Sequence, residues 1–94
     1  MHMDDIRSII KYKYETEEYG KIKVTLAEVL AKRGITRNRL STLTGVKYEV
    51  VDRYYKAKSI EMADLDFLAK VCFALNCEIS DLLVYESPDI QNDT

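Results

Sequence analysis

The spacing of apolar residues predicts a helix over residues 26–33. Three apolar residues fall at i, i+3 and i+4 and share one helix face: Leu26, Val29 and Leu30. Thr25 and Glu28 match a capping box, in which two side chains accept hydrogen bonds from backbone amides at the start of a helix. Gly34 follows the run and predicts a left-handed end to the helix.

A second and a third helix follow with a short turn between them. Thr36 is an N-cap candidate for the second helix, Leu40 and Leu43 lie three residues apart, and Gly45 marks the turn. The third helix is predicted to begin near Lys47. Its apolar side contains Val46, Val50, Val51, Tyr54 and Ala57. Its opposite side is a polar stripe of Glu49, Asp52, Arg53 and Lys56.

A fourth helix is predicted from about Met62 to Leu75, with Asn76 as its left-handed cap. The residues predicted to face the core are Leu65, Leu68, Ala69, Cys72 and Leu75. Acidic residues crowd the predicted first turn, where the helix dipole favours them: Glu61, Asp64 and Asp66. A short helical turn over 80–83, an extended segment over 84–87 and a disordered tail over 87–94 complete the prediction.

The N-terminal part is predicted to be a β-hairpin or strand extension. Residues 10–15 and 21–25 alternate apolar and polar side chains, and Gly20 lies between them, where a positive φ would suit a turn. The alternative is a helix that starts near Asp4, because the isoleucines in 6–10 have helical spacing.

The composition indicates one small domain. The chain has 94 residues, of which 47% are hydrophobic, and it contains no apolar run long enough for a membrane span or a secretory signal. We therefore expect a cytoplasmic protein. A domain of this size buries little surface, so self-association is expected as well.

The charge is unevenly distributed along the chain. The net charge is −2, but residues 21–60 carry ten basic residues against three acidic ones, a net charge of +7. The remaining residues carry four against thirteen, a net charge of −9. A basic centre of this kind is typical of a protein that binds a polyanion.

Catalytic and metal chemistry have little support in the sequence. The only histidine is His2, and Cys72 and Cys77 lie in an apolar stretch, so no ligand set for a metal is available. We expect packed, reduced cysteines rather than a redox pair. There is no glycine-rich phosphate loop and no histidine base, so we predict a protein that is not an enzyme and needs no cofactor.

The run TRNRLSTLTGVKYEVVDRYYKAKS, residues 36–59, resembles the helix-turn-helix of Cro/CI-type (XRE-like) transcriptional regulators. The continuation over 60–86, IEMADLDFLAKVCFALNCEISDLLVYE, resembles the small single-domain bacterial members. The resemblance implies a mainly α, lambda-repressor-like domain of four to five helices. It gives an extension over 1–20, a DNA-binding domain over 21–86 and a tail over 87–94.

The resemblance also implies which residues contact DNA. The exposed side of the third helix would lie in the major groove and read bases. Its base-reading positions are Tyr48, Glu49, Asp52 and Arg53. Phosphate contacts would come from Arg37, Arg39, Lys47, Lys56 and Lys58. Lys47 stands where the family usually has Ser or Thr, so the third helix is expected to lack a side-chain cap.

Two functions are compatible with these observations. The first is a sequence-specific regulator, repressor-like, that binds double-stranded DNA as a homodimer. The second is a protein-binding module on a helix-turn-helix scaffold, such as an antitoxin-like or anti-regulator protein, with its N-terminal segment contacting the partner. Fold alone does not separate them.

Overall fold

The computed structural model describes residues 19–58 and 60–88. Within them, five helices lie between two short strands in chain order. These elements are β1 (Lys21–Val24), α1 (Leu26–Arg33), α2 (Arg37–Thr44), α3 (Tyr48–Lys56), α4 (Leu65–Leu75), α5 (Ile79–Leu82) and β2 (Leu83–Glu86). The mainly α, helix-turn-helix architecture predicted from the sequence is confirmed. Residues 23–84 form one compact unit, and the described residues outside that range belong to a second.

Strands β1 and β2 pair as a two-stranded antiparallel sheet. The strand predicted at 21–25 is therefore confirmed, whereas residues 10–15 and the alternative N-terminal helix lie outside the described residues. Gly20 does not adopt the positive φ that the sequence suggested. Glycine is required there for another reason, because a Cβ atom would lie 1.8 Å from the carbonyl oxygen of Glu86.

The core is built from one face of each of α1 to α5. Its buried residues are Leu26, Val29, Leu30, Leu40, Val51, Tyr54, Phe67, Leu68, Val71, Leu75 and Leu82. Tyr54 of α3 stacks on Phe67 of α4 with 4.4 Å between ring centroids. Its hydroxyl accepts a hydrogen bond of 2.9 Å from the backbone N–H of Asp64. This tyrosine thus joins α3 to the start of α4 by both packing and a polar contact.

The helix ends were predicted largely correctly. Gly34 and Gly45 have left-handed φ values of 64° and 75°, and Asn76 caps α4 with a φ of 50°. Thr36 caps α2 by accepting from the backbone N–H of Arg39 at 3.0 Å. Asp64 caps α4 rather than lying in its first turn, because that helix begins at Leu65.

The predicted capping box at α1 is wrong. The Thr25 side chain makes no capping bond and instead donates to the carbonyl of Asp81 at 2.7 Å. Glu28 lies 3.9 Å from the Lys23 ammonium. A capping box forms at α5, where the side chains of Glu78 and Asp81 accept reciprocally from backbone amides.

The predicted core face of α4 was also partly wrong, and α2 buries only one of its two leucines. Leu43 of α2 is exposed, so Leu40 alone anchors that helix in the core. In α4 the buried residues are Phe67, Leu68, Val71 and Leu75. Leu65 and Ala69, which were predicted to face the core, are exposed. The true buried face is rotated from the predicted one because both faces of this helix carry apolar residues.

Candidate nucleic-acid interface

A tight turn sets α2 against α3. Gly45 ends α2 in the left-handed region, and its N–H donates to the carbonyl of Ser41 at 2.9 Å. The Ser41 hydroxyl donates across the turn to the carbonyl of Val46 at 2.5 Å. The Thr44 hydroxyl donates to Leu40 at 2.8 Å and accepts from the N–H of Val46 at 3.2 Å. These bonds satisfy backbone groups that the ends of α2 and α3 leave unpaired.

The start of α3 lacks a side-chain cap, as the sequence predicted, and its end is an alanine. Lys47 occupies the N-cap position and makes no side-chain capping bond. Ala57 occupies the C-cap position with a left-handed φ of 51°. A left-handed alanine is strained relative to glycine, so the backbone at the end of α3 is held in this form by its surroundings.

An ion-pair network connects the start of α2 to the middle and the end of α3. One carboxylate oxygen of Asp52 accepts from the Arg37 guanidinium, at 2.5 Å between Nη1 and Oδ1. The other oxygen lies 3.0 Å from the Lys56 ammonium. Asp52 thereby brings together two residues that were predicted to contact phosphates.

Two tyrosines of α3 surround the same guanidinium. The Arg37 Cζ atom lies 4.3 Å from the ring centroid of Tyr55 and 6.0 Å from that of Tyr48. A guanidinium over an aromatic face is attracted by the ring quadrupole. Arg37 is therefore held from two directions, by a carboxylate and by aromatic rings.

The electrostatics of this network stabilise the charged forms of its members. Hydrogen bonding by Lys56, followed by that of Arg37, lowers the pKa of the Asp52 carboxyl below its usual value against the opposing effect of burial. The bond to Asp52 raises the pKa of Arg37. Asp52 is thus a carboxylate at neutral pH, with both oxygens engaged.

The outer side of α3 carries the remaining predicted base-reading residues. Tyr48, Glu49 and Arg53 are exposed. The Arg53 guanidinium lies 5.1 Å from the ring centroid of Tyr54. Among the described residues, no cation lies within 4.0 Å of the Glu49 carboxylate, so Glu49 and Arg53 form no ion pair although they lie four residues apart. Arg53 and Glu49 are therefore both accessible to a ligand.

The other predicted phosphate contacts lie around the two helices without a shared partner. Arg39 is exposed in the first turn of α2, Lys47 is exposed just before α3, and Lys58 is exposed just after it. They flank the helix-turn-helix but are not part of the Asp52 network.

Sequence reasoning did not assign Tyr55 a role at this site. Its position has a signal, however, because Tyr48, Asp52 and Tyr55 recur at i, i+4 and i+7. That stripe lies along the border between the buried and the outer side of α3. In the structure all three side chains of this stripe contact Arg37 of α2.

Comparison with known proteins agrees with this geometry. The model of the Cro/C1-type HTH DNA-binding domain matches residues 25–89. The chain belongs to the Cro/C1-type helix-turn-helix family. The matched segment is therefore a DNA-binding domain of that family. A search of curated protein sequences found no match.

Two solved structures resemble this Cro/C1-type domain. A candidate DNA-binding protein from Bacteroides fragilis has a TM-score of 0.59 and 26% identity, covering 68% of this chain and 100% of its own. The transcriptional regulator VanUg has a TM-score of 0.58 and 19% identity, covering 78% of this chain and 95% of its own. At 19% identity, the likeness to VanUg establishes a shared fold and nothing more.

The described part of the chain offers little support for a membrane span, a metal site or a reactive cysteine. No helix among the described residues is long and apolar enough to cross a membrane. No group of three or more metal-ligating side chains is found among them either. Cys72 and Cys77 are free and half-buried, and burial, followed by the nearby Cys72, raises the pKa of the Cys77 thiol. A raised thiol pKa disfavours the reactive thiolate.

Proposed function

We propose that the protein is a sequence-specific, repressor-like regulator that binds double-stranded DNA as a homodimer, with α3 in the major groove. The observation that carries this proposal is the outer side of α3, which presents Tyr48, Glu49 and Arg53 to solvent beside an Arg37 that is already held in place. Membership of a DNA-binding family supports the partner. The groove, the dimer and the role of each residue are our inference.

The start of α2 is suited to a phosphate. No acidic residue lies in its first turn, where Arg37 and Arg39 add positive charge to the helix dipole. Arg37 uses one N–H on Asp52, and a guanidinium has five, so donors remain for an anion. Lys47, Lys56 and Lys58 would contact neighbouring phosphates.

Arg53 is the residue proposed to read a base most strongly. It is exposed and has no ion-pair partner within 4.0 Å among the described residues. A guanidinium binds O6 and N7 of guanine with two hydrogen bonds, which discriminates by about 1 to 3 kcal/mol. Glu49 would accept from cytosine N4, and Tyr48 would contact a sugar or a thymine methyl.

Asp52 was predicted from the sequence to read a base, and its geometry favours a different role. Both of its oxygens already bind cations, so reading a base would require the carboxylate to give up one of them. We assign Asp52 to positioning Arg37 and Lys56 for phosphate binding. It also lowers the positive charge next to the groove and so limits binding to unrelated sequences.

The salt dependence of binding to duplex DNA tests the proposal. If the five basic residues of each subunit share about three phosphates, the slope of log affinity against log salt should be near −5, from about −0.9 per phosphate. Lys56→Ala should make the slope less negative by about 2 for a dimer. Lys32→Ala on the exposed side of α1 is the matched control and should leave it unchanged. Absence of duplex binding at low salt would contradict the proposal and favour the protein-binding alternative.

A further inference from the structure

An exposed apolar stripe runs along the outer side of α4. Leu65, Ala69 and Phe73 recur at i, i+4 and i+8, so they share one face. Phe73 is 90% exposed and Leu65 is 77% exposed. Met62, three residues before the helix, is 87% exposed as well. A contiguous exposed patch of large apolar side chains on a small domain is typical of an interaction surface.

A charged pair borders this stripe along one edge. Lys70 lies 3.1 Å from Asp66, four residues earlier on the same helix. The pair runs parallel to the apolar stripe, with the acid nearer the N-terminus and the base nearer the C-terminus. The midpoint of the pair is one residue from Ala69, the midpoint of the stripe.

This arrangement is complementary to itself under a two-fold rotation. If two copies of α4 cross antiparallel at Ala69, Leu65 of each copy faces Phe73 of the other. In antiparallel helix pairs the same flank of each helix meets, so Asp66 faces Lys70 of the second copy. Alanine at the crossing point lets the backbones approach closely. In a parallel arrangement opposite flanks meet, so the Asp66–Lys70 flank would face the other flank of the second copy and this charge pairing would be lost.

We propose that a second copy of this chain covers the α4 stripe, formed by Leu65, Ala69 and Phe73, through this antiparallel two-fold contact. The proposal rests on the homodimeric function proposed above and specifies its interface. An isologous contact satisfies both patches at once, because the same residues serve on both sides. Phe73 is the anchor, since buried aromatic residues dominate the energetics of interfaces.

The proposed contact is small, so the dimer should be weak. One face of an eleven-residue helix offers fewer residues than the roughly 20 to 30 a side of a standard interface. We therefore expect a dimer with a dissociation constant in the range of about 1 μM to 1 mM in free solution. Two adjacent half-sites on DNA raise the effective concentration of the subunits and strengthen pairing there.

Analytical ultracentrifugation of Phe73→Glu tests the surface. The wild-type chain should show a concentration-dependent dimer, and the variant should be monomeric at every concentration up to about 1 mM, the upper end of that range. Val84→Glu introduces the same charge at an exposed apolar residue of β2 and should dimerise as the wild type does. A monomeric wild type, or a Phe73→Glu variant that dimerises normally, would overturn the proposal.

Cysteine substitution tests the position of the two-fold axis. Ala69→Cys should form a disulfide-linked dimer under mild oxidation, because residue 69 meets its own copy at the axis. Ala31→Cys, at an exposed alanine of α1, is the matched control and should not exceed the background from the native cysteines. Equal cross-linking of the two variants would overturn the axis assignment.

Charge reversal tests the antiparallel order. Asp66→Lys and Lys70→Asp should each weaken self-association, and their equimolar mixture should form a heterodimer. No gain on mixing would overturn the order. Failure of the interface is distinguishable from failure of the proposed function. A Phe73→Glu variant that dimerises normally while duplex binding persists rejects only the interface, whereas a wild type that dimerises without binding duplex rejects only the function.

Discussion

The outer sides of α3 and α4 differ sharply, although both helices bury their inner sides in the same core. The outer side of α3 carries exposed charged residues, namely Glu49, Arg53 and Lys56. The outer side of α4 carries Leu65 and Phe73, both largely exposed. Water solvates the charged side of α3 at little cost. Covering the apolar side of α4 lowers the free energy, because it removes apolar side chains from water.

This difference assigns the two helices to different kinds of partner. A charged outer side with an accessible arginine suits a polyanion, whose binding depends on salt. An apolar outer side suits a protein surface, whose binding depends on burial. We therefore propose that one small domain separates recognition of DNA on α3 from self-association on α4.

The largest expected effect concerns the inner side of α4. Leu68→Ala removes a buried side chain and should lower the free energy of unfolding by about 2 to 5 kcal/mol, because it leaves a cavity in the core. Leu65→Ala, three residues earlier, should cost less than about 0.5 kcal/mol in the monomer, because its side chain is exposed. Urea denaturation at a concentration where the chain is monomeric measures both. Equal losses would contradict the face of α4 described above.

The next effect concerns the outer side of α3. Arg53→Ala should reduce the preference at one base pair by about 1 to 3 kcal/mol, whereas Arg37→Ala should weaken binding to all sequences alike. Fluorescence anisotropy on duplexes that differ at single positions measures both quantities. Indistinguishable profiles for the two variants would show that base reading and phosphate contact are wrongly assigned.

A smaller effect is expected where α3 and α4 meet. Tyr54→Phe removes the acceptor for the N–H of Asp64 and should destabilise the fold by about 0.5 to 1.5 kcal/mol. Tyr55→Phe is the control, because its ring stays over Arg37 and, among the described residues, no hydrogen bond involves the Tyr55 hydroxyl. Thermal unfolding compares the two variants, and a Tyr55→Phe loss as large as that of Tyr54→Phe would contradict this account.

The smallest effect is a pH dependence at Asp52. Its pKa is lowered in the folded chain, so the carboxylate contributes stability above the usual aspartate pKa of about 3.9 and loses it as the pH falls through the lower folded value. The difference in melting temperature between wild type and Asp52→Asn should be constant from neutral pH to about pH 5 and shrink below about pH 4. A difference that does not shrink on acidification would show that the pairing does not stabilise the fold.

The sequence predicted local structure well and side-chain partnerships poorly. Gly34, Gly45 and Asn76 were identified correctly as helix ends because their left-handed conformation is a local property of the residue. The face of α4 was misassigned because both of its sides are apolar, so periodicity alone does not select the buried one. Packing against the other helices makes that selection.

The candidate site shows the same contrast between local structure, which the sequence predicts, and side-chain partners, which it does not. The order of helices, the turn and the exposed position of Arg53 follow from spacing and from the family resemblance. The contact between Arg37 and Asp52 spans fifteen residues and two helices, so no local rule predicts it. The partner of β1 was likewise far along the chain, in β2.

The most direct test of the central claim is selection of bound duplexes from a random DNA pool, with wild type and Arg53→Ala compared side by side. We expect a two-fold symmetric motif with half-sites about one helical turn apart, in which Arg53→Ala loses the preference at one position of each half-site. Enrichment of no motif, or of a motif that Arg53→Ala leaves unchanged, would contradict the claim that α3 reads DNA.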